Sequence, residues 1–160
     1  MNIYHHDQIN FSKLFKRNYM EIEEKQEVAC AMLRLNILSA IQNAGSGHLG
    51  TSFSALEIML TSMMYLEKSR LKNSHFFSSK GHDVPALYAC YEALGRLPNE
   101  SITKLRQLGG LPGHPDVATK NILFNTGSLG MGLSKANGWL SGQKSYDQNP
   151  QIIVLIGDGE

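Results

Sequence analysis

Three of the six histidines follow a glycine in glycine- or proline-rich surroundings: Ser46-Gly47-His48, Lys80-Gly81-His82 and Pro112-Gly113-His114. A neutral imidazole both donates and accepts hydrogen bonds and changes charge near neutral pH. Such groups suit the binding of hydroxylated substrates and the movement of protons. The preceding glycine lets each backbone turn sharply. A fourth feature closes the chain, where the aliphatic run 152–156 leads into Gly157-Asp158-Gly159. Open parallel sheets bind ligands beyond the carboxyl ends of their strands. An aspartate there can hold a hard cation such as Mg²⁺ through oxygen, and its glycine neighbours leave the backbone open to a phosphate. Singly these features are ordinary, since an Asp-Gly after a strand is usually a turn and a lone histidine is usually a surface or capping residue. Recurrence of the Gly-His pair gives them weight.

The stretch Thr126-Gly127-Ser128-Leu129-Gly130-Met131-Gly132 opens a helical segment. Its amides and the helix dipole could receive an anion or a ring nitrogen. Its glycine spacing is not the dinucleotide-binding fingerprint and it follows a loop rather than a strand, which disfavours a nicotinamide enzyme. Zinc is disfavoured because no HxxxH or CxxC pair is present.

These residues need a scaffold, and the composition supplies one. The chain has 160 residues, 42% hydrophobic and 18% charged, with a net charge of +1. That composition fits one globular α/β unit and gives no sign of a nucleic-acid or membrane surface. Cys30 and Cys90 are far apart and read as buried free thiols in a reducing cytoplasm. No secretion signal and no membrane-spanning stretch is legible. Residues 1–20 read as an arm or short helix, and residues 21–160 as one unit. A helix is expected over 21–44, with Val28, Met32, Leu35 and Leu38 marking its buried face and Gly45 its end. A second begins near Ser54, where Ser54 and Glu57 have capping-box spacing, with Ile58, Met59, Met63 and Met64 in the core. A short strand is expected at 75–78. A third helix follows, capped by Asp83, with Pro85 in its first turn and Gly95 at its end. A fourth short helix from Asn99 closes at Gly109-Gly110. A loop carries Pro112 to Pro115, and after residues 125–128 a fifth helical stretch runs to about Ser141, stopped by Gly142. The run 152–156 reads as a parallel strand buried on both faces.

In this order the pieces resemble the transketolase family. Residues 44–50 (AGSGHLG) resemble its SGHPG segment, and 77–82 (FSSKGH) followed by Ala86-Leu87-Tyr88 its LSxGHxxxxLY segment. Residues 108–115 (LGGLPGHP) resemble its PGHP loop, and 126–132 its TGxLGxG turn. Gly157-Asp158-Gly159-Glu160 resembles the opening of the thiamine diphosphate motif, GDG followed some distance on by Asn. The resemblance covers about residues 20–160. It implies a partial thiamine-diphosphate-binding fold, a parallel sheet flanked by helices. It also implies transfer of a two-carbon ketol unit between sugar phosphates, with thiamine diphosphate and Mg²⁺. His48, His82 and His114 would be catalytic. His82, Gly127, Leu129 and Gly159 would contact the cofactor, and Asp158 the metal. A C-terminal transketolase subunit or a homodimer partner would complete the site, because the second metal ligand and the carboxylate facing the aminopyrimidine have no counterpart here.

Two departures are visible: Leu49 stands where the family has proline, and Met131 where it commonly has glutamine. With half of the cofactor motif missing, the 160-residue chain alone is expected to be inactive. The competing reading is an inactive remnant or an interaction module of a transketolase homologue. A different thiamine enzyme is disfavoured by the Pro-Gly-His-Pro loop.

Overall fold

The structure, a computed structural model, describes residues 5–69, 73–143 and 149–160. Five helices and two strands are present among them. In chain order these are α1 (Gln8–Phe15), α2 (Ile22–Ala44), α3 (Leu49–Lys68), β1 (Ser74–Ser78), α4 (Val84–Ala93), α5 (Gly132–Gln143) and β2 (Gln151–Leu155). A single 3-10 turn, Ser101–Lys104, lies between α4 and α5. The two strands pair in parallel, Ser74 opposite Gln151 through Ser78 opposite Leu155. Both carboxyl ends therefore lie at one end of the sheet. Helices α2, α3 and α4 pack on one another, α3 also on β1, and α5 on β2. The core holds Leu33 and Ile37 of α2, Leu56, Met59, Leu60 and Met63 of α3, Phe76 of β1, and Leu87 and Tyr88 of α4. This is the expected α/β arrangement, and among the described residues no helix is long and apolar enough to cross a membrane.

Several local expectations are corrected. Val28, Leu35 and Leu38 are exposed, and the buried face of α2 is Ala29, Cys30, Leu33, Asn36, Ile37 and Ala40. Small residues let the neighbouring helices approach, and Asn36 is satisfied inside because it pairs with the backbone of His6. The His6 N–H donates to its Oδ1 and its Nδ2 donates to the His6 carbonyl, both at 2.8 Å. Helix α3 begins at Leu49, not near Ser54. The His48 carbonyl already accepts from the Ser52 N–H at 3.3 Å and its hydroxyl at 2.7 Å, so Ser54 is interior and donates to the Thr51 carbonyl. Ile58 is exposed rather than core. The fourth helix is one 3-10 turn, entered through Glu100 in the left-handed region. The start of α5 is Gly132, and Gly142 lies within it. Strand β2 is half-buried over 152–155, since β1 is its one strand neighbour among the described residues.

Cys30 and Cys90 are free and buried, as expected. Burial, with the Glu57 carboxylate adding to it and Arg34 opposing, pushes the Cys30 thiol up to about 11. Burial raises Cys90 as well, so neither is a thiolate near neutral pH.

The segment before α2 packs into the body, with Phe11 and Leu14 buried. Asp7 and Asn10 cap α1 reciprocally, at 2.9 and 3.0 Å. Ahead of them, His5 Nε2 meets the buried carboxylate of Glu92 at 2.7 Å, and the other Glu92 oxygen accepts from the Ile102 N–H at 3.0 Å. The hydrogen bond to Glu92 raises His5 above its ordinary value; burial opposes this, and the charges of Glu92, Glu100 and Asp7 add to it. A raised histidine contributes stability that is full below the unfolded value of 6.5. That contribution is lost as pH rises through the folded value. A His5→Gln variant is therefore expected to be less stable by roughly 1–2 kcal/mol near pH 6. Urea titrations of both proteins should show the gap shrinking as pH rises above 6.5. A gap that widens with pH would refute this pairing.

Candidate active site at the carboxyl ends of the strands

The chain leaves β1 through Ser79-Lys80-Gly81-His82. Pairing with β2 continues one step beyond the strand, the Ser79 N–H donating to the Leu155 carbonyl at 2.8 Å. Gly81 has φ +74°, and a Cβ there would stand 2.7 Å from Gly127 Cα and N and 2.9 Å from His114 Cδ2. Gly127, at φ +120°, is likewise blocked by His114 Cδ2 at 2.7 Å. The His114 ring thus lies against two bare glycine backbones, which side chains at either position would prevent. His48 and His82 meet edge to face, their ring centroids 5.5 Å apart. The three glycine-preceded imidazoles are therefore brought together: His48 on His82, and His114 on the glycine that precedes His82.

The supporting contacts come from residues that sequence reasoning did not place in the site. Arg106 donates to Ser46 Oγ at 3.2 Å and to the Gly113 carbonyl at 3.5 Å, joining the loops of His48 and His114. Tyr88 OH donates to the His114 carbonyl at 3.3 Å. His82 Nδ1 lies 3.1 Å from the Lys80 carbonyl. Asp83 stands at the N-cap position of α4, as expected, but its side chain makes no capping hydrogen bond; its Oδ2 instead accepts from Ser78 Oγ at 2.7 Å and pairs with Lys80 Nζ at 3.3 Å.

The start of α5 and the end of β2 meet the same loop. The Gly132 N–H donates to Ser79 Oγ at 3.1 Å, and a Cβ at Gly132 would fall 2.4 Å from Ser79 Cβ. Ser79 Oγ donates in turn to Glu160 Oε1 at 3.3 Å, whose Oε2 accepts from the Gly157 N–H at 3.2 Å. Glu160 thus closes the Gly157-Asp158-Gly159 turn from inside, leaving Asp158 exposed and nothing within 4 Å of where a Gly159 Cβ would be. Leu129 is exposed, Gly130 (φ +79°) is open, and Thr126 Oγ1 is buried without a hydrogen-bond partner among the described residues. No group of three or more histidine, cysteine or acidic side chains among the described residues could enclose a metal.

A sequence profile described as the transketolase, thiamine diphosphate binding domain matches residues 25–150. The chain belongs to the transketolase family. Among curated proteins it is similar to one of the subunits of the apulose-4-phosphate transketolase of Phocaeicola vulgatus, 33% identical over 146 residues, covering 86% of this chain and 51% of that one. It is also similar to the corresponding apulose-4-phosphate transketolase polypeptide of Actinobacillus succinogenes, 32% identical over 155 residues, covering 91% and 55%. Mouse transketolase is 37% identical over 136 residues, 80% of this chain and 22% of that protein. The chain thus spans about half the length of the two apulose-4-phosphate transketolase polypeptides and about a fifth of the mouse transketolase. A thiamine diphosphate-binding domain is accordingly the setting in which the site is to be understood.

The donor set fits part of such a group. Asp158 offers a hard oxygen ligand suited to a divalent cation. The open backbone at Gly159 leaves room for a diphosphate, and the unpartnered Thr126 hydroxyl and the open backbone at Gly130 offer polar contacts to a heterocycle. One carboxylate does not complete a cation site.

Proposed function

We propose that this chain contributes the thiamine diphosphate-binding part of an enzyme that transfers a two-carbon ketol unit between sugar phosphates. The supporting observation is that the imidazoles of His48, His82 and His114 converge beside β1, at the same end of the parallel pair as Asp158. Gly127 and Leu129 would hold the cofactor's ring through their backbone, Gly159 and His82 its diphosphate, and Asp158 the Mg²⁺. When bound, the cofactor supplies the stabilisation of negative charge on carbon that the reaction needs. The residues of this chain bind and orient: His48 and His114 hold substrate hydroxyls and move protons from them, and His82 stands between substrate and diphosphate. Residues 21–160 would form the first part of the binding domain and residues 1–20 an N-terminal segment preceding it.

Substrates would be sugar phosphates, the partner a C-terminal transketolase subunit or a second copy, and the location the cytoplasm. No nucleic acid or membrane enters this reading. Residues 1–160 alone would be inactive, since a single carboxylate holds Mg²⁺ weakly and the outer edge of β2 lacks a strand partner among the described residues. That open edge also favours the second reading, a chain that serves as an interaction module.

Calorimetric titration of thiamine diphosphate with Mg²⁺, with and without the C-terminal partner, separates the two. Heat of binding and ketol transfer only with the partner are expected. No heat in either arm would leave the interaction module standing.

A further inference from the structure

The carboxylate of Asp83 is fully buried and is not needed to cap α4. Both of its contacts run to the chain leaving β1: Ser78 Oγ, the last residue of the strand, at 2.7 Å, and Lys80 Nζ at 3.3 Å. They converge on Oδ2, and Oδ1 has no hydrogen-bond partner among the described residues. A buried carboxylate held by one oxygen is an expensive device if its task were stability alone, because an apolar pair would do as well. Its effect on geometry is more specific. Lys80 is fixed at its ammonium by Asp83, and its stem lies 3.5 Å from the Cβ position of Gly157. The carbonyl of the same residue faces His82 Nδ1 at 3.1 Å. A carbonyl only accepts, so this contact requires the proton of the neutral imidazole to sit on Nδ1, which leaves Nε2 as an unprotonated acceptor.

We infer that Asp83 is a positioning residue: through Lys80 it fixes the Nδ1–H tautomer of His82. His82 then presents a proton acceptor, not a donor, at Nε2 while neutral. Among the proposed roles of His82 this favours receiving a proton from a substrate hydroxyl over donating one to the diphosphate. That consequence rests on the ketol-transfer reading; the tautomer does not.

The test is nitrogen-15 histidine NMR on the full chain without cofactor, at a pH where the imidazoles are neutral, with the His82 signals assigned from a His82→Gln variant. The wild type is expected to show protonated Nδ1 and bare Nε2. In Asp83→Asn, which keeps an acceptor for Ser78 but loses the charge that fixes Lys80, the tautomer ratio should shift toward Nε2–H by roughly fivefold, the worth of one ordinary hydrogen bond. Should that variant fail to fold, Ser78→Ala serves in its place: it removes one of the two anchors and should shift the ratio in the same direction by less. An Nε2–H tautomer in the wild type overturns the inference, and so does a ratio unmoved in a folded Asp83→Asn protein. Calorimetry on the same proteins, each with the C-terminal partner added, keeps the two readings apart. A fixed Nδ1–H without thiamine diphosphate binding sinks the proposed function and leaves the tautomer standing, and the converse result does the reverse.

Discussion

Replacing Asp158 by alanine is expected to weaken Mg²⁺-dependent binding of thiamine diphosphate by on the order of 100-fold or more while leaving the fold intact. The size follows because loss of groups that merely support a metal ligand already costs about 10–100-fold in affinity, and Asp158 would be a ligand itself. The fold should survive because the carboxylate is exposed and makes no hydrogen bond among the described residues; the turn is closed by Glu160 instead. Calorimetry of the full chain with its partner measures the first quantity and urea unfolding the second. Unchanged cofactor affinity would remove the metal role of Asp158, and with it the main support for reading the Gly157–Gly159 turn as a cofactor site. The neighbouring Glu160→Gln variant is the useful contrast. Its oxygens receive Ser79 Oγ and the Gly157 N–H, so it should disturb the turn rather than remove a ligand.

What can be read in the sequence is what depends on residue type along the chain. The β-branched run before Gly157 makes a parallel strand, because such a run has no alternation and no helical punctuation. Gly45 ends α2 in the left-handed conformation that glycine alone adopts freely. The Gly-His repeats meet at one place, although their common destination is set by the parallel pairing and not by spacing. What is not legible depends on partners distant in sequence. The buried face of α2 differs from the expected one because Asn36 reads as polar until the His6 backbone is known to satisfy it. Asp83 reads as a helix cap, the ordinary role for aspartate before Val-Pro, yet it faces back toward Ser78 and Lys80. Ser79, Arg106 and Glu160 give no local signal, since each acts by joining loops 53 or more residues away. In the candidate site, the residues with chemistry are recognisable by type, while those that hold them in place are not.

The tightest of these long-range constraints gives the second large effect. A Gly81→Ala variant is expected to lose roughly 2–5 kcal/mol of stability, because left-handed strain and overpacking add. The new methyl carbon would stand 2.7 Å from the Cα and N of Gly127, which are backbone atoms and cannot rotate aside, and 2.9 Å from the His114 ring. The clash can be relieved only by separating the two loops, which moves His82, His114 and the 127–130 turn at once. Cofactor affinity should therefore fall together with stability. Gly138→Ala is the internal control: it lies inside α5 with nothing within 4 Å of its Cβ position. Alanine there should raise stability by about 0.5–1 kcal/mol through helix propensity. Urea unfolding of the two variants beside the wild type measures both signs. A Gly81→Ala protein as stable as the wild type would show that the close approach of residues 81, 114 and 127 does not hold in solution. The convergence of the three imidazoles would then lose its structural basis.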